Sequence, residues 1–304
     1  MNEGVLSVNI MNNKCPICKS TDIKLFDYPT AKNNLFKNLN ILLCNTCIFR
    51  CVIDPIDPKE LELYYRNEYS SEHECRTRYG KPEEYFSSEK NMFKAGRSSY
   101  QLDLAEKYFR KINDRSVLPK KILDFGAGFG TTLFLAGSKW PNAECYAIEQ
   151  DESMYPYLDY INADKTTTSD CADIDVLISS QSLEHVDIFS IGGMLESMKN
   201  VLSPNGIILI DVPNNSFSSD TQYQMHVHEP HLLFFSKKSL SKLFKSYGFK
   251  ILFISEYGDI ISKNQINRMY NFMLKGLHRL GVLPLHPRYS IKDGKGLRMV
   301  VCKK

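Results

Sequence analysis

From Lys121 onward the chain alternates short apolar runs with amphipathic ones, and a glycine-rich turn sits at the first junction. Residues 121–125, 144–148, 176–180, 207–212, 249–254 and 297–302 read as strands, being short and nearly continuously apolar. Residues 131–137 read as a helix. Met194, Leu195, Met198, Val201 and Leu202 mark one further helix face, and Leu240, Leu243, Phe244 and Tyr247 another. Ser203-Pro-Asn-Gly206 is a turn signal that ends the first, and Gly248 stops the second. Such alternation implies a mainly parallel sheet with helices on both faces. Ligands in such sheets bind beyond the carboxyl ends of the strands, where the strand order reverses.

The turn itself reads Asp124-Phe-Gly126-Ala127-Gly128-Phe-Gly130. A dinucleotide fingerprint spaces its glycines G-x-G-x-x-G, whereas here the third glycine comes one place early. Asp124 would repel a pyrophosphate. It suits a cofactor bearing a cationic sulfonium and an α-amino group and no phosphate, which describes S-adenosylmethionine. Glu149 closes the second strand, where a carboxylate can accept hydrogen bonds from both hydroxyls of an adenosine ribose.

Before this core lie two cysteine pairs, Cys15-Pro-Ile-Cys18 and Cys44-Asn-Thr-Cys47. Each pair can form a tight knuckle, and together Cys15, Cys18, Cys44 and Cys47 offer the four thiolates of a structural zinc site with no open position for chemistry. Cys51 is a spare ligand or a buried residue, and the remaining cysteines read as small core residues. The expected organisation is a zinc-binding domain over 1–54, a helical Tyr-rich connecting or lid segment over 55–118, and the α/β core over 119–304. A helical insertion at about 256–296 is a packed helix or a lid. Tyr64, Tyr65 and Tyr69 in the connector cover a ligand, stack on a sugar ring, or pack on the core.

Composition closes off other classes. Lys and Arg exceed Asp and Glu by only 3, so a DNA-coating protein is not expected. No apolar run approaches the ~18 residues of a spanning helix, and Met1-Asn-Glu-Gly4 does not open a secretory signal, so a cytoplasmic protein is expected. The first 54 residues carry few arginines and no basic stripe interleaved with aromatics, which argues against nucleic acid as partner. Oligomeric state is not legible.

Taken as a set, Leu123-Asp-Phe-Gly-Ala-Gly-Phe-Gly130, Ser182-Leu-Glu-His-Val186 and Leu202-Ser-Pro-Asn-Gly206 resemble the motifs of class I S-adenosylmethionine-dependent methyltransferases over 119–304. The resemblance implies a Rossmann-like, seven-stranded, mostly parallel sheet, here with an N-terminal zinc-ribbon-like domain. It also implies that Asp124, Gly126, Ala127, Gly128 and Gly130 line the methionine part and that Glu149 holds the ribose. Gln150 then lies beside the adenine, and Ser180 and Gln181 near the methyl-bearing end. With its cysteine pairs and tyrosines the chain is further similar to bacterial sugar methyltransferases, some of which carry a Y-H-E-H motif. The matching stretch is His226-Val-His228-Glu229-Pro230-His231, where Pro230 separates Glu229 from His231.

Methyl transfer to a hydroxyl or a carbon calls for a general base. His231 is the candidate, with Glu229 orienting it or holding the substrate and His228 adjoining. His185 faces the substrate or bonds within its own turn. The expected partner is a sugar, nucleotide-sugar or surface-glycan precursor, placing the enzyme in carbohydrate biosynthesis, with O- or C-methylation left open. The alternatives are an RNA methyltransferase that uses the zinc unit for RNA binding, and a non-catalytic protein that binds the cofactor.

Overall fold

A computed structural model describes residues 13–28, 33–69, 80–88, 96–214, 231–260 and 294–304. The chain opens with three antiparallel strands, β1 (Ile23–Asp27), β2 (Asn40–Cys44) and β3 (Phe49–Val52). Helix α1 (Pro58–Leu63) follows and runs directly into a π-helical turn, Tyr64–Glu68. Asp57 caps α1 by accepting from Lys59 N at 2.8 Å. Then come α2 (Pro82–Ser87), α3 (Gly96–Ile112), β4 (Lys121–Phe125) and α4 (Thr131–Lys139). Next are β5 (Glu144–Ile148), α5 (Tyr155–Tyr160), β6 (Asp164–Lys165), β7 (Ile174–Ser180), α6 (Ile191–Val201) and β8 (Leu202–Pro213). The last described elements are β9 (Leu233–Phe234), α7 (Lys237–Ser246), β10 (Phe249–Ile260) and β11 (Gly294–Lys303).

Seven strands form one sheet in the order β10-β11-β8-β7-β4-β5-β6, with β11 antiparallel to both neighbours and the rest parallel. The chain winds outward from β4 to β6 and then returns to the other side of β4. The strand order therefore reverses between β4 and β7, the position where such sheets open a ligand crevice. This is the expected Rossmann-like, mostly parallel α/β sheet. Strand alternation sorts its core into two layers. Ile208, Ile210, Val212, Met299 and Val301 pack with α6 and α7, while Ile207, Leu209, Val300, Val176 and Ile178 pack with α3 and α4.

The cysteine-bearing strands make a second sheet, ordered β1-β2-β3-β9. Its fourth member comes from the far side of the chain, directly after His231. Cys15, Cys44, Cys47, Phe49 and Cys51 share one continuous core with Leu195, Leu240 and Phe244 of α6 and α7. Cys51 lies in β3, fully buried opposite Leu42 and Leu233, and its thiol is pushed well up by burial.

Two expectations change. Ser203-Pro-Asn-Gly206 does not separate a helix from a later strand. β8 already begins at Leu202, and the four residues bulge within it: between the pairs Ile174–Leu202 and Val176–Ile207, β8 advances five residues while β7 advances two. Gly206 is needed there because a Cβ would lie 2.5 Å from the Ile174 carbonyl oxygen. The helical stripe expected at 266–280 lies outside the described residues, but β10 and β11 extend into the expected insertion from both sides. Among the described residues no helix is long and apolar enough to cross a membrane.

One buried ion pair was not anticipated. Arg298 of β11, 1% exposed, donates through Nε and Nη2 to Asp211 Oδ2 at 2.8 and 2.6 Å. Its guanidinium lies 4.8 Å from the Tyr100 ring centroid and 4.1 Å from that of Tyr257. Asp211 also accepts from the Tyr257 hydroxyl and, at 2.8 Å, from Gln101 Nε2. The pair is enclosed on every side by partners, so removing one member strands a buried charge. Arg298→Leu is expected to cost about 3–5 kcal/mol, read as a lowered urea midpoint, whereas an unchanged midpoint shows that Asp211 finds another partner.

Candidate active site at the carboxyl edge of the sheet

The glycine turn leaves the carboxyl end of β4 with Gly126, Gly128 and Gly130 all in the left-handed region, at φ 76°, 54° and 71°. A Cβ on Gly126 would lie 2.2 Å from Ser182 Oγ, which itself donates to the Phe125 carbonyl at 2.9 Å. A Cβ on Gly128 would meet nothing within 4 Å, so the loop backbone faces open space. Glu149, one residue past β5, accepts from Gly128 N at 2.6 Å and from Asp151 N at 2.9 Å. It thus braces the turn, and each of its oxygens retains a second lone pair for a ligand hydroxyl. Gln150 beside it is exposed. The α2 segment closes over this corner. Tyr85 stacks on Phe129 of the turn at 4.8 Å, and its hydroxyl lies 2.7 Å from Thr131 Oγ1.

The two carboxyls are not ordinary acids. Burial, then the charge of Glu149, pushes Asp124 up to about 8, and a hydrogen bond with Thr132 only partly offsets this. Glu149 is raised by burial against the pull of the Asp151 and Gly128 amides. Such a pair favours a cationic ligand, which relieves the crowding of negative charge.

On the other side of the switch point, Ser180 ends β7 and accepts from Gln101 Nε2 at 2.8 Å. Gln181 takes a left-handed φ of 57° and donates from its backbone to the Asp211 carbonyl at 2.8 Å. The 3-10 turn Leu183–His185 follows. His231 arrives from the segment after β8, 2% exposed, with its ring 4.9 Å from and edge-on to that of His185. Tyr65 and Tyr69 pack against His185 at 5.6 and 5.7 Å, and the Tyr65 hydroxyl lies 3.2 Å from His185 Nδ1. The tyrosines expected in the connector therefore gather at the two histidines, and Tyr64 packs between them and Phe36. Of the expected catalytic set, His228 and Glu229 lie outside the described residues. Glu184, which had not been singled out, is brought in: it is 1% exposed, and one of its carboxylate oxygens and one imidazole nitrogen each of His185 and His231 lie within 4.8 Å of one another. A carboxylate beside a signature histidine was visible in Ser182-Leu-Glu-His-Val186, but its inward direction was not.

The four paired cysteines also converge. Cys15 Sγ lies 3.7 Å from Cys47 Sγ, Cys18 Sγ lies 3.4 Å from Cys44 Sγ, and all four lie within 4.8 Å of one another. Tetrahedral zinc–thiolate bonds of ~2.3 Å would place sulfurs about 3.8 Å apart, so the set fits such an ion. The two knuckles are alike. Lys19 N bonds Cys15 O at 2.9 Å and Ile48 N bonds Cys44 O at 2.8 Å, with Lys19 and Ile48 left-handed at φ 62° and 56°. A β-branched residue adopts that conformation only where its surroundings dictate it.

A methyltransferase-domain family matches residues 100–253, half of the chain, and the chain belongs to it. It is an S-adenosylmethionine-dependent methyltransferase of the class I fold. Similar solved structures include a SAM-dependent methyltransferase from Archaeoglobus fulgidus, with TM-score 0.47 and 16% identity over 71% of this chain and 100% of that one. Another is the plantazolicin methyltransferase BpumL in complex with a monoazolic desmethylPZN analog and SAH, with TM-score 0.47 and 16% identity over 81% and 97%. A possible histamine N-methyltransferase from Thermotoga maritima gives TM-score 0.46 and 14% identity over 78% and 100%. No curated protein sequence matches the chain.

The elevated Asp124 has a consequence for stability. An acid held above its unfolded value near 3.8 favours the folded state fully below that value, and the contribution is lost as pH rises through about 8. Asp124→Asn removes the charge, so its urea midpoint should exceed that of the wild type at pH 9 and converge with it near pH 4. A constant difference across this range would show that Asp124 titrates normally.

Proposed function

We infer that this methyltransferase acts on a sugar, as the free, nucleotide-linked or glycan-precursor form, at oxygen or carbon, with His231 as general base. One observation supports this above others: two imidazoles and three tyrosine rings gather beyond the carboxyl end of β7, on the acceptor side of the crevice. Aromatic faces suit the apolar faces of a sugar ring, and imidazoles suit its hydroxyls.

In this reading the Asp124 carboxylate and the Gly126–Gly130 turn, with Ala127, hold the methionine part of S-adenosylmethionine. Glu149 accepts from the ribose hydroxyls and Gln150 borders the adenine. Ser180 and Gln181, tied to Asp211 and Gln101, flank the methyl-bearing end. When bound, the cofactor would supply an electrophilic methyl group. The protein aligns the reactants and excludes water. His231 takes the acceptor's proton, leaving the lone pair free to attack, and His185 adjoins it on the more exposed side. The surrounding tyrosines keep bulk water from that proton.

The paired cysteines are read as a structural zinc site within an N-terminal unit over 1–54, with 55–118 as connector. The ion would fix the two knuckles and take no part in transfer. Purified protein should then carry one equivalent of zinc per chain under non-chelating conditions, and less than half an equivalent overturns the assignment. For the base, His231→Ala should abolish tritium transfer to a panel of nucleotide sugars and glycan precursors while cofactor affinity stays within about threefold. Activity near that of the wild type would remove His231 from the role.

A further inference from the structure

We propose that Glu184 is a positioning residue for the base: its buried carboxylate orients His231 and balances the imidazolium that forms when His231 accepts the proton. The proposal rests on the reading of His231 as base given above.

Glu184 and His231 are fixed to one another through the backbone. Leu232 N donates to the Glu184 carbonyl at 2.8 Å, so the residue after His231 is pinned to Glu184's own peptide. From the opposite side, the Tyr28 hydroxyl donates to the His231 carbonyl at 3.0 Å. Val52 N donates to the Leu232 carbonyl at 2.9 Å. The carboxylate is held within reach of both imidazoles and is 1% exposed. At that depth an ion is little screened, so it acts on the histidines with far more force than a surface carboxylate would.

The other titratable groups near the pair leave this role to Glu184. Among the described residues they are His185 in its own turn, Tyr28 from the loop after β1, and Tyr64, Tyr65 and Tyr69 from the helical run after Asp57. Tyr65 is pushed well up by burial, with Tyr69, Tyr64, Tyr28 and Glu184 adding to the shift, so it stays a neutral phenol. Among the described residues, the carboxylate beside the two imidazoles is that of Glu184. A carboxylate beside a base imidazole keeps the ring in one orientation and stabilises its protonated form, as in hydrolase triads. Glu184 itself need not contact the acceptor.

The test needs no identified acceptor. In the full chain saturated with S-adenosylhomocysteine, the histidine C2–H signals are followed by NMR against pH, with His231→Asn and His185→Asn assigning them. Glu184→Gln should move the His231 midpoint to lower pH by about 1–3 units, while S-adenosylhomocysteine affinity by calorimetry stays within about threefold. Glu184→Asp, which keeps the charge, should restore most of the shift. An unmoved midpoint overturns the proposal. So does loss of a bound metal equivalent in Glu184→Gln, which would make these side chains metal ligands. Should Glu184→Gln not fold, the wild type decides. The Glu184 carboxyl ¹³C signal should move in step with the His231 midpoint, and a signal flat through it overturns the proposal alone. These outcomes are separate from failure of the base assignment, which His231→Ala reports.

Discussion

The strip His231–Ser236 is clamped between two sheets, and the placement of the histidine pair depends on that clamp. Leu232 is held by Glu184 on one side and by Val52 on the other. Cys51 and Arg50 of β3 pair with Leu233 and Phe234, Asn214 bridges to Phe235, and Ser236 Oγ donates to the Cys47 carbonyl at 2.6 Å. Six consecutive residues thus tie the end of β8, the turn after β7 and the cysteine knuckle together. Every backbone group satisfied here is taken from solvent, and a shift of one residue in register would swap the faces of Leu233 and Phe234. His231 is buried as a result of this clamp and not through any local preference of its own.

Charge divides the ligand edge of the large sheet into two unlike halves. At the ends of β4 and β5, Asp124 and Glu149 crowd one another and are both raised, leaving a corner that gains from a positive ligand. At the end of β8, Asp211 is already neutralised by Arg298 and ringed by Gln101 and Tyr257. It is therefore spent on structure: it fixes the ends of β7, β8 and β11 and holds Ser180 and Gln181 in place. One half of the edge thus gains from positive charge, and in the other the buried charge is already paired.

What was legible in the sequence was local. The glycine turn demands its own backbone conformation, and Gly126, Gly128 and Gly130 are all left-handed after β4. Cys-x-x-Cys pairs carry their knuckle with them, and residues 207–212 carry the nearly continuous apolar run of a buried strand. What was not legible depends on register between distant strands. Asp211 is a lone acid in an apolar strand, and its partner Arg298 is 87 residues away. Glu184 looked like one residue of a signature, because nothing local says which way a carboxylate in a 3-10 turn points. Ser203-Pro-Asn-Gly206 misled for a related reason: a turn and a bulge use the same residues, and only the pairing of Ile174 with Leu202 distinguishes them.

The same clamp explains why the cysteine segment belongs with the enzyme. Without β3, β9 would be an isolated two-residue strand, far too short to hold a buried imidazole in place. The knuckles stiffen β2 and β3, β3 pairs with β9, and β9 begins two residues after His231. Tyr28, at the end of β1, reaches the His231 carbonyl from the same unit. A metal bound to the four thiolates would therefore act at a distance, as one end of a short rigid path whose other end is the histidine pair. The Asp124–Glu149 corner lies at the ends of β4 and β5, across the switch point, and none of its hydrogen bonds described above runs through that path. The two halves of the site stand on different strands and meet where β4 pairs with β7 and where Ser182 touches the glycine turn.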